Sequence, residues 1–232
     1  MLLNKNEIME YINLYKLITP IKDKRLQSCS YDLSLGDEYY VYNKKHGNQP
    51  VVSPISKYES ICIPQNGVCF IITEETLNMP YDVSGQISLS FGLIKKGVML
   101  SNQPPIDPGY NGKIVALLHN LSSEPVYIQK GKHVLTIVFY KVNETTGYEG
   151  SYQHLESIKR YIDAPVKSSL FQLSNEITSM KRTAESFNRF LITIILIILG
   201  ILTINPFFLN EESIKSDIKK ELLKELTTTR MF

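Results

Sequence analysis

Short apolar runs dominate the first two thirds of the chain. Between positions 5 and 18 the apolar residues recur at helical spacing, which predicts one short N-terminal helix. From residue 28 to residue 145, runs rich in Val, Ile, Tyr and Phe alternate with turns of Gly, Pro, Asn and Asp, a pattern typical of an antiparallel sandwich or barrel. We therefore expect a mainly β domain with an N-terminal helix. Its predicted strands are YYVY, SICIP, VCFIIT, GVML, KIVALLHN, PVYIQ and HVLTIVFYKV.

A longer apolar stretch lies near the C-terminus. Residues 190–210, FLITIILIILGILTINPFFLN, carry no charge, and a helix of this length spans a bilayer core of about 30 Å. This pattern predicts one transmembrane helix and disfavours a buried core helix, while Pro206 leaves open a shorter span or a re-entrant hairpin. The N-terminus has no signal-peptide pattern, so we expect a single-pass membrane protein with its N-terminal domain in the cytoplasm.

Between these two parts, apolar residues recur at alternating spacings of three and four. This a/d heptad pattern predicts a helical stalk, and Pro165 suits its start. The stalk is either a parallel oligomeric coiled coil, which we favour as a trimer, or a single amphipathic helix lying on the domain. The apolar positions are Val166, Leu170, Leu173, Ile177, Met180, Ala184, Phe187 and Leu191, continuing through Ile194, Ile198 and Ile201.

Four parts are therefore predicted along the chain. A β domain is followed by the stalk, the transmembrane segment and an amphipathic charged tail in which Ile214, Ile218 and Leu222 recur every four residues. The four ranges are 1–150, 151–189, 190–210 and 211–232.

Charge and cysteine content narrow the function classes. The chain has 25 Lys and Arg against 23 Asp and Glu, a net charge of +2, which disfavours binding to duplex nucleic acid. Cys29, Cys62 and Cys69 are an odd number without CxxC spacing. We expect small apolar residues rather than zinc ligands or a disulfide, which suits a reduced, cytosolic domain.

Five motifs in the β-rich part carry a family resemblance. In chain order they are SYDLSLG, LNMPYDVSGQI, GLIKKGVML, IDPGYNGKI and IQKGKHVLTIVFYKV. Together they resemble the dCTP deaminase and dUTPase family, specifically its deaminase branch, from the N-terminal helix to Tyr152 but not beyond. The resemblance implies a dUTPase-like distorted jelly roll that assembles as a homotrimer, with nucleotide sites between neighbouring subunits.

The same resemblance implies candidate site residues. Asp107 matches an aspartate that orients or activates water beside the sugar and base, and a carboxylate can accept the proton. Asp32 matches an aspartate that helps to organise Mg²⁺ in diphosphatase members. A turn-forming role for Asp107 and a strand-edge role for Asp32 are the alternatives. The expected nucleotide-binding residues are Gly92, Leu93, Lys95, Lys96, Asp107, Tyr110 and Thr136.

Three positions in two stretches depart from the family pattern. The glutamate that shuttles a proton in active deaminases aligns with Leu117, and general acid-base help is worth roughly 100-fold to 10,000-fold. The arginine and first serine of the phosphate-binding stretch align with Ser90 and Phe91, leaving Lys95 and Lys96 as the nearby cations. Deamination by the family mechanism is therefore not expected.

Further positions complete the comparison. A glutamine that contacts the nucleotide in the family aligns with Thr136, and Tyr152 and Gln153 match the C-terminal arm that closes over it. His119 and His133 are expected to be core or surface residues rather than catalysts.

Three functional hypotheses follow. The first is a catalytically degenerate, membrane-anchored trimer that binds a nucleotide or deoxynucleotide triphosphate and signals to its membrane segment, as a sensor or effector in antiviral defence. The second is an active dUTP diphosphatase or dCTP deaminase tethered to the membrane, with Asp107 activating water and a magnesium-bound triphosphate as substrate. The third is a trimeric membrane scaffold with no ligand.

Overall fold

The computed structural model describes residues 1–42, 51–101, 103–143, 146–166, 168–208, 215–221 and 223, with backbone alone for 202–208. A compact unit, Met1–Asn175, is followed by a second unit that starts at Glu176. The helices are α1 (Lys5–Tyr15), α2 (Phe91–Ile94) and α3 (Ser169–Phe208). The strands are β1 (Ile18–Thr19), β2 (Tyr31–Val41), β3 (Ser53–Pro54), β4 (Ser60–Ile63), β5 (Val68–Asn78), β6 (Val83–Leu89), β7 (Val98–Leu100), β8 (Asn111–Asn120), β9 (Val126–Gln129) and β10 (His133–Lys141).

The N-terminal helix forms where the apolar spacing predicts it. A capping box at its start pairs the Asn4 side chain with the backbone N–H of Glu7, while the Glu7 carboxylate accepts from the N–H of Asn4. Ile8 and Ile12 are buried, and Lys16 ends the helix in the left-handed conformation. The helix is shorter than the predicted 5–18 because β1 begins at Ile18.

One antiparallel sheet dominates the described residues. Its strands run in the order β6-β10-β2-β5-β8-β7, with β1 added to β5 and β3 added to β2, while β4 and β9 form a separate pair. The two long central strands, β2 and β5, shift register between Leu35 and Tyr39 and between Ile72 and Thr76. Such bulges bend and twist a strand, which curves the sheet around a core of aliphatic side chains.

The prediction of a mainly β domain is confirmed, and each predicted apolar run lies in a strand. The predicted runs omit β6, whose sequence VSGQISL falls in a stretch that resembles a turn. Its period-two alternation was the available signal, since Val83, Ile87 and Leu89 are buried and the serines between them are not.

A second apolar cluster covers the outer face of the sheet. Tyr40 and Phe70 pack there against Leu155, Ile158 and Ile162, which belong to the segment after β10. These three residues lie in the range predicted as stalk, yet they contribute to the compact unit. The boundary at residue 150 stays a prediction.

Helix α3 begins at Ser169, four residues after Pro165. The Ser168 hydroxyl accepts a hydrogen bond from the N–H of Phe171 and donates one to the carbonyl of Asn66. The segment Ser169–Ile201 is long and apolar enough to cross a membrane, and its most apolar window is entirely unburied. Residues 215–221 are helical, while Ile214 and Leu222 of the predicted tail lie outside the described residues.

The three cysteines are free thiols. Cys69 is buried as expected, whereas Cys62 and Cys29 are partly exposed.

Candidate functional site

The turn before β8 holds Asp107 in a fixed position. Ile106 and Gly85 exchange two backbone hydrogen bonds of 2.7 and 2.9 Å, and the N–H of Gly109 donates to the carbonyl of Met79 at 3.0 Å. Gly109 has a φ of +76°, and a Cβ on it would lie 2.7 Å from the Cα of Gly147. Only glycine suits this position, so the Pro-Gly dipeptide forms the turn and packs it closely against the following arm.

Asp107 lines a cavity of about 210 Å³. Four tyrosines, Tyr110, Tyr148, Tyr152 and Tyr161, supply most of its ring surface. The ring centroids of Tyr110 and Tyr148 are 5.5 Å apart, and those of Tyr152 and Tyr161 are 5.1 Å apart. Among the described lining residues Asp107 is the one charged group, so the cavity is an aromatic pocket with a single carboxylate.

Two of the pocket tyrosines, Tyr110 and Tyr161, are held as neutral phenols. Burial raises the pKa of Tyr110, whose hydroxyl donates to the carbonyl of Lys113 at 2.6 Å. Burial also raises the pKa of Tyr161. Neutral phenols present flat, polarisable faces, which suits stacking against a planar ring.

The segment after β10, residues 146–162, forms an arm over the turn. Gln153 bridges it: its Nε2 donates to the carbonyl of Gly109 at 2.9 Å, and its Oε1 accepts from the N–H of Asn111 at 3.0 Å. The N–H of Tyr148 donates to the carbonyl of Pro108 at 2.8 Å. Tyr152, the other residue expected in an arm, lines the pocket. The arm therefore closes the Asp107 pocket within its own chain.

The stretch at α2 that aligns with the family's phosphate-binding stretch does not line the Asp107 pocket. Ser90 is buried, and Phe91 is 68% exposed with the Nζ of Lys95 4.6 Å from its ring centroid. Lys95 and Lys96 line a different cavity of about 510 Å³, shared with Glu124 and Tyr127, and neither lines the Asp107 pocket.

Leu93 and Gly92, the other two predicted nucleotide-binding residues in this stretch, differ in their burial. Leu93 belongs to the core, while Gly92 faces open space.

Asp32 and Thr136 come together on neighbouring strands, β2 and β10. The Thr136 hydroxyl donates to Asp32 Oδ1 at 3.2 Å, and His133 Nε2 lies 2.9 Å from that hydroxyl and 3.1 Å from Oδ1. Gln27 Nε2 donates to Asp32 Oδ2 at 3.1 Å. Burial lowers the pKa of His133 and Arg25 lowers it further, while Asp32 opposes the shift. The four side chains form one hydrogen-bonded cluster.

This cluster by itself supplies too few ligands to hold a magnesium ion without substrate phosphates. Both oxygens of Asp32 are already occupied by protein donors, and the part of the chain that the structure describes has no group of three or more His, Cys, Asp or Glu residues placed to hold a metal. The Mg²⁺ role of Asp32 stays a prediction.

Comparison with known proteins adds to this geometry. The model of the dCTP deaminase-like family matches residues 2–142, which is more than half of the chain. The chain belongs to the dCTP deaminase-like family. Two dCTP deaminases, from Pyrococcus horikoshii and Thermococcus gammatolerans, are each 31% identical to it over 139 residues, which is 59% of this chain and 84% and 83% of theirs. The crystal structure of the Agrobacterium tumefaciens dCTP deaminase shares the fold, with a TM-score of 0.50 and 16% identity over 60% of this chain and 46% of that one.

Both the predicted family and the predicted fold are thereby confirmed. The family match ends before the arm, the stalk and α3.

Within this family fold, Leu117 occupies an apolar environment. It pairs with Phe70 across β5 and β8 and packs against the second apolar cluster. Val115, two residues earlier on the same face of β8, lines the Asp107 pocket. A proton-transferring side chain at position 117 would face this side of the sheet, and the side chain present there is aliphatic.

The structure thus places the polar residues of the predicted set in three separate locations. Asp107 and Tyr110 share the aromatic pocket, Lys95 and Lys96 share the second cavity, and Thr136 meets Asp32 on the sheet. His133, expected to be a core or surface residue rather than a catalyst, is part of the Asp32 cluster. The register shift between His133 and Leu135 is what brings positions 133 and 136 together, and no sequence pattern marks it.

Proposed function

We propose that this protein is a membrane-anchored member of the family that binds a nucleotide and does not deaminate it. The observation that supports this most directly is the Asp107 pocket, which combines one carboxylate with four tyrosine rings beside a strand bearing Leu117. Stacking of a base on an aromatic side chain contributes about 1–3 kcal/mol. The pocket therefore keeps the means to bind a base and lacks the glutamate that the family uses for proton transfer.

The volume of the Asp107 pocket limits which part of a nucleotide it can bind. Ligand pockets usually measure roughly 300–1,000 Å³, and this one is about 210 Å³. A base with its sugar is the part of a nucleotide that such a volume suits, with the phosphates outside. Lys95 and Lys96 are the cations that the family alignment offers to the phosphates, and they line another cavity. In a homotrimer, which we also propose, those lysines would come from a neighbouring copy.

The arm offers a route from the pocket to the membrane. Tyr148, Tyr152 and Tyr161 of the arm line the pocket, and the chain continues from there to α3 at Ser169. A ligand that moves the arm would change how α3 leaves the domain. With α3 in the membrane and the N-terminal domain in the cytoplasm, such a protein would act as a sensor or effector of nucleotide state, for example in antiviral defence.

A second candidate function is nucleotide hydrolysis. The carboxylate of Asp107 has no hydrogen-bond or ion-pair partner among the described residues, so it is free to hold a water molecule. Diphosphatase chemistry does not require the deaminase glutamate in the same role. Loss of the phosphate-binding arginine at Ser90 argues against it.

One set of measurements distinguishes these functions. Full-length protein in detergent is titrated calorimetrically with dCTP and dUTP, and ammonia and pyrophosphate are assayed in parallel with Mg²⁺ present. We expect binding that Tyr152→Leu weakens, and no ammonia. Pyrophosphate release that Asp107→Asn abolishes would establish the hydrolase instead, and absence of binding to either nucleotide would favour a scaffold.

Membrane anchoring is tested separately. A chain truncated after Arg189 should move from the membrane pellet to the supernatant. If it still sediments with membranes, α3 is not the anchor.

A further inference from the structure

Helix α3 carries an unpartnered apolar stripe beyond the compact domain. Within the second unit, residues at alternating spacings of three and four are solvent-exposed, including Ile177 at 57%, Met180 at 69% and Phe187 at 58%. In heptad notation Ile177, Ala184 and Leu191 occupy a positions, and Met180 and Phe187 occupy d positions. A monomer would leave this stripe in water, where its exposure costs free energy.

Two opposite charges flank the stripe. With 100° per residue, Glu176 lies at a g position on one side and Lys181 at an e position on the other. Five residues apart on one helix, they point away from each other, and within the described part of the chain neither has an ion-pair partner. In parallel helices a g residue faces the e residue five positions later on the neighbouring helix. The two charges are complementary in that arrangement.

The orientation of any second copy follows from the anchor. The stripe continues without interruption into the apolar part of α3 that extends to Phe208. Copies of one sequence cross a bilayer with the same orientation, because the same N-terminal domain, expected in the cytoplasm, precedes α3 in each of them. Two α3 helices in one membrane are therefore parallel, as the pairing of Glu176 with Lys181 requires.

We propose that the occupant of this stripe is α3 of a second copy of this chain, packed in parallel and in register, with Glu176 facing Lys181 of the partner subunit. This inference uses the membrane placement of α3 but not nucleotide binding, so the two stand or fall separately. The pairing fixes the register of the stalk at the place where the helix leaves the domain.

Cysteine cross-linking in native membranes tests the packing. Ala184→Cys places a thiol at an a position, and Ser186→Cys places one at a c position, about 200° further round the helix and away from the seam. A disulfide requires Cα atoms within about 7 Å. We expect oxidation to give a chain-to-chain dimer of full-length protein with Ala184→Cys, and none above the wild-type background with Ser186→Cys. Equal cross-linking at both positions, no cross-linking, or a product with a different protein would overturn the proposal.

A charge swap tests the register. Glu176→Lys and Lys181→Glu chains, each also carrying Ala184→Cys and a different tag, are co-expressed in equal amounts. Like charges oppose each homotypic pair and opposite charges favour the mixed pair, so mixed dimers should exceed the random 1:2:1 ratio by about fivefold. The double variant Glu176→Lys, Lys181→Glu should pair with itself as wild type does. A random ratio would show that Glu176 and Lys181 do not set the register.

Discussion

The bridge made by Gln153 is the most direct way to test how the arm closes the Asp107 pocket. Gln153→Leu keeps the size of the side chain and removes both hydrogen bonds, to the carbonyl of Gly109 and from the N–H of Asn111. Each such bond contributes about 0.5–1.5 kcal/mol net, so the pair holds the arm by about 1–3 kcal/mol. The open population of the arm should rise about 5-fold to 150-fold.

Hydrogen-deuterium exchange measures that population. We expect faster exchange at the N–H groups of Tyr148 and His154, which donate to Pro108 and Asn111, with little change in β2 or β5. Gln129→Leu is the matched control, because Gln129 is exposed on β9 and makes no side-chain hydrogen bond within the described structure. Exchange that stays within twofold of wild type, or that rises equally in the control, would refute the reasoning.

Two further predictions concern backbone strain and a buried acid. Gly109→Ala should lower the free energy of unfolding by about 1–2 kcal/mol because of the positive φ, and by more if Gly147 cannot move. Gly92→Ala is the control: its Cβ would meet nothing within 4 Å, so its melting temperature should be equal to or higher than that of wild type. Equal melting temperatures for the two variants would contradict this prediction. Burial raises the pKa of Glu75, which is fully buried. Its Oε2 accepts a hydrogen bond from the N–H of Ser34 at 2.8 Å, and its Oε1 has no hydrogen-bond partner among the described residues. The folded state therefore holds this proton more tightly than the unfolded state, so the stabilisation is complete below the unfolded pKa of about 4.3 and is lost as pH rises through the higher folded value. Glu75→Gln should flatten the fall in urea midpoint between pH 4 and pH 8, and parallel curves for the two proteins would show that Glu75 does not titrate there.

The separation of the candidate residues bears on what the chain does alone. Asp107 lies in an aromatic pocket, while Lys95 and Lys96 line a cavity elsewhere on the same domain. A triphosphate bound at Asp107 would find no cation among the described pocket residues. In the homotrimer that we propose, these lysines would approach the carboxylate of a neighbouring chain, and self-association of α3 would hold such chains together.

The strands and the apolar helix could be predicted from the sequence because they depend on the spacing of apolar residues along a short stretch of chain. Alternation of apolar residues marks a strand wherever one face is buried, and a stretch of about 21 uncharged residues marks a helix that water does not solvate well. The order of the turn motifs led to the family, and the residue types at positions 107 and 117 predicted a water-binding carboxylate without a proton shuttle. These conclusions require only the identities of neighbouring residues.

Other features depended on contacts between distant parts of the chain. The arm was expected from a resemblance at Tyr152 and Gln153, but that Gln153 bridges Gly109 and Asn111 follows from packing across more than 40 positions. A register shift in β10 brought His133 to Thr136 and Asp32, and Glu75 lies within the register shift of β5 against β8, between Ile72 and Thr76. The sequence by itself determined most of the strands, the apolar helix and the residue types at positions 107 and 117. Only the tertiary structure decided which polar groups meet, because bulges and long-range packing set their positions and neither leaves a local pattern.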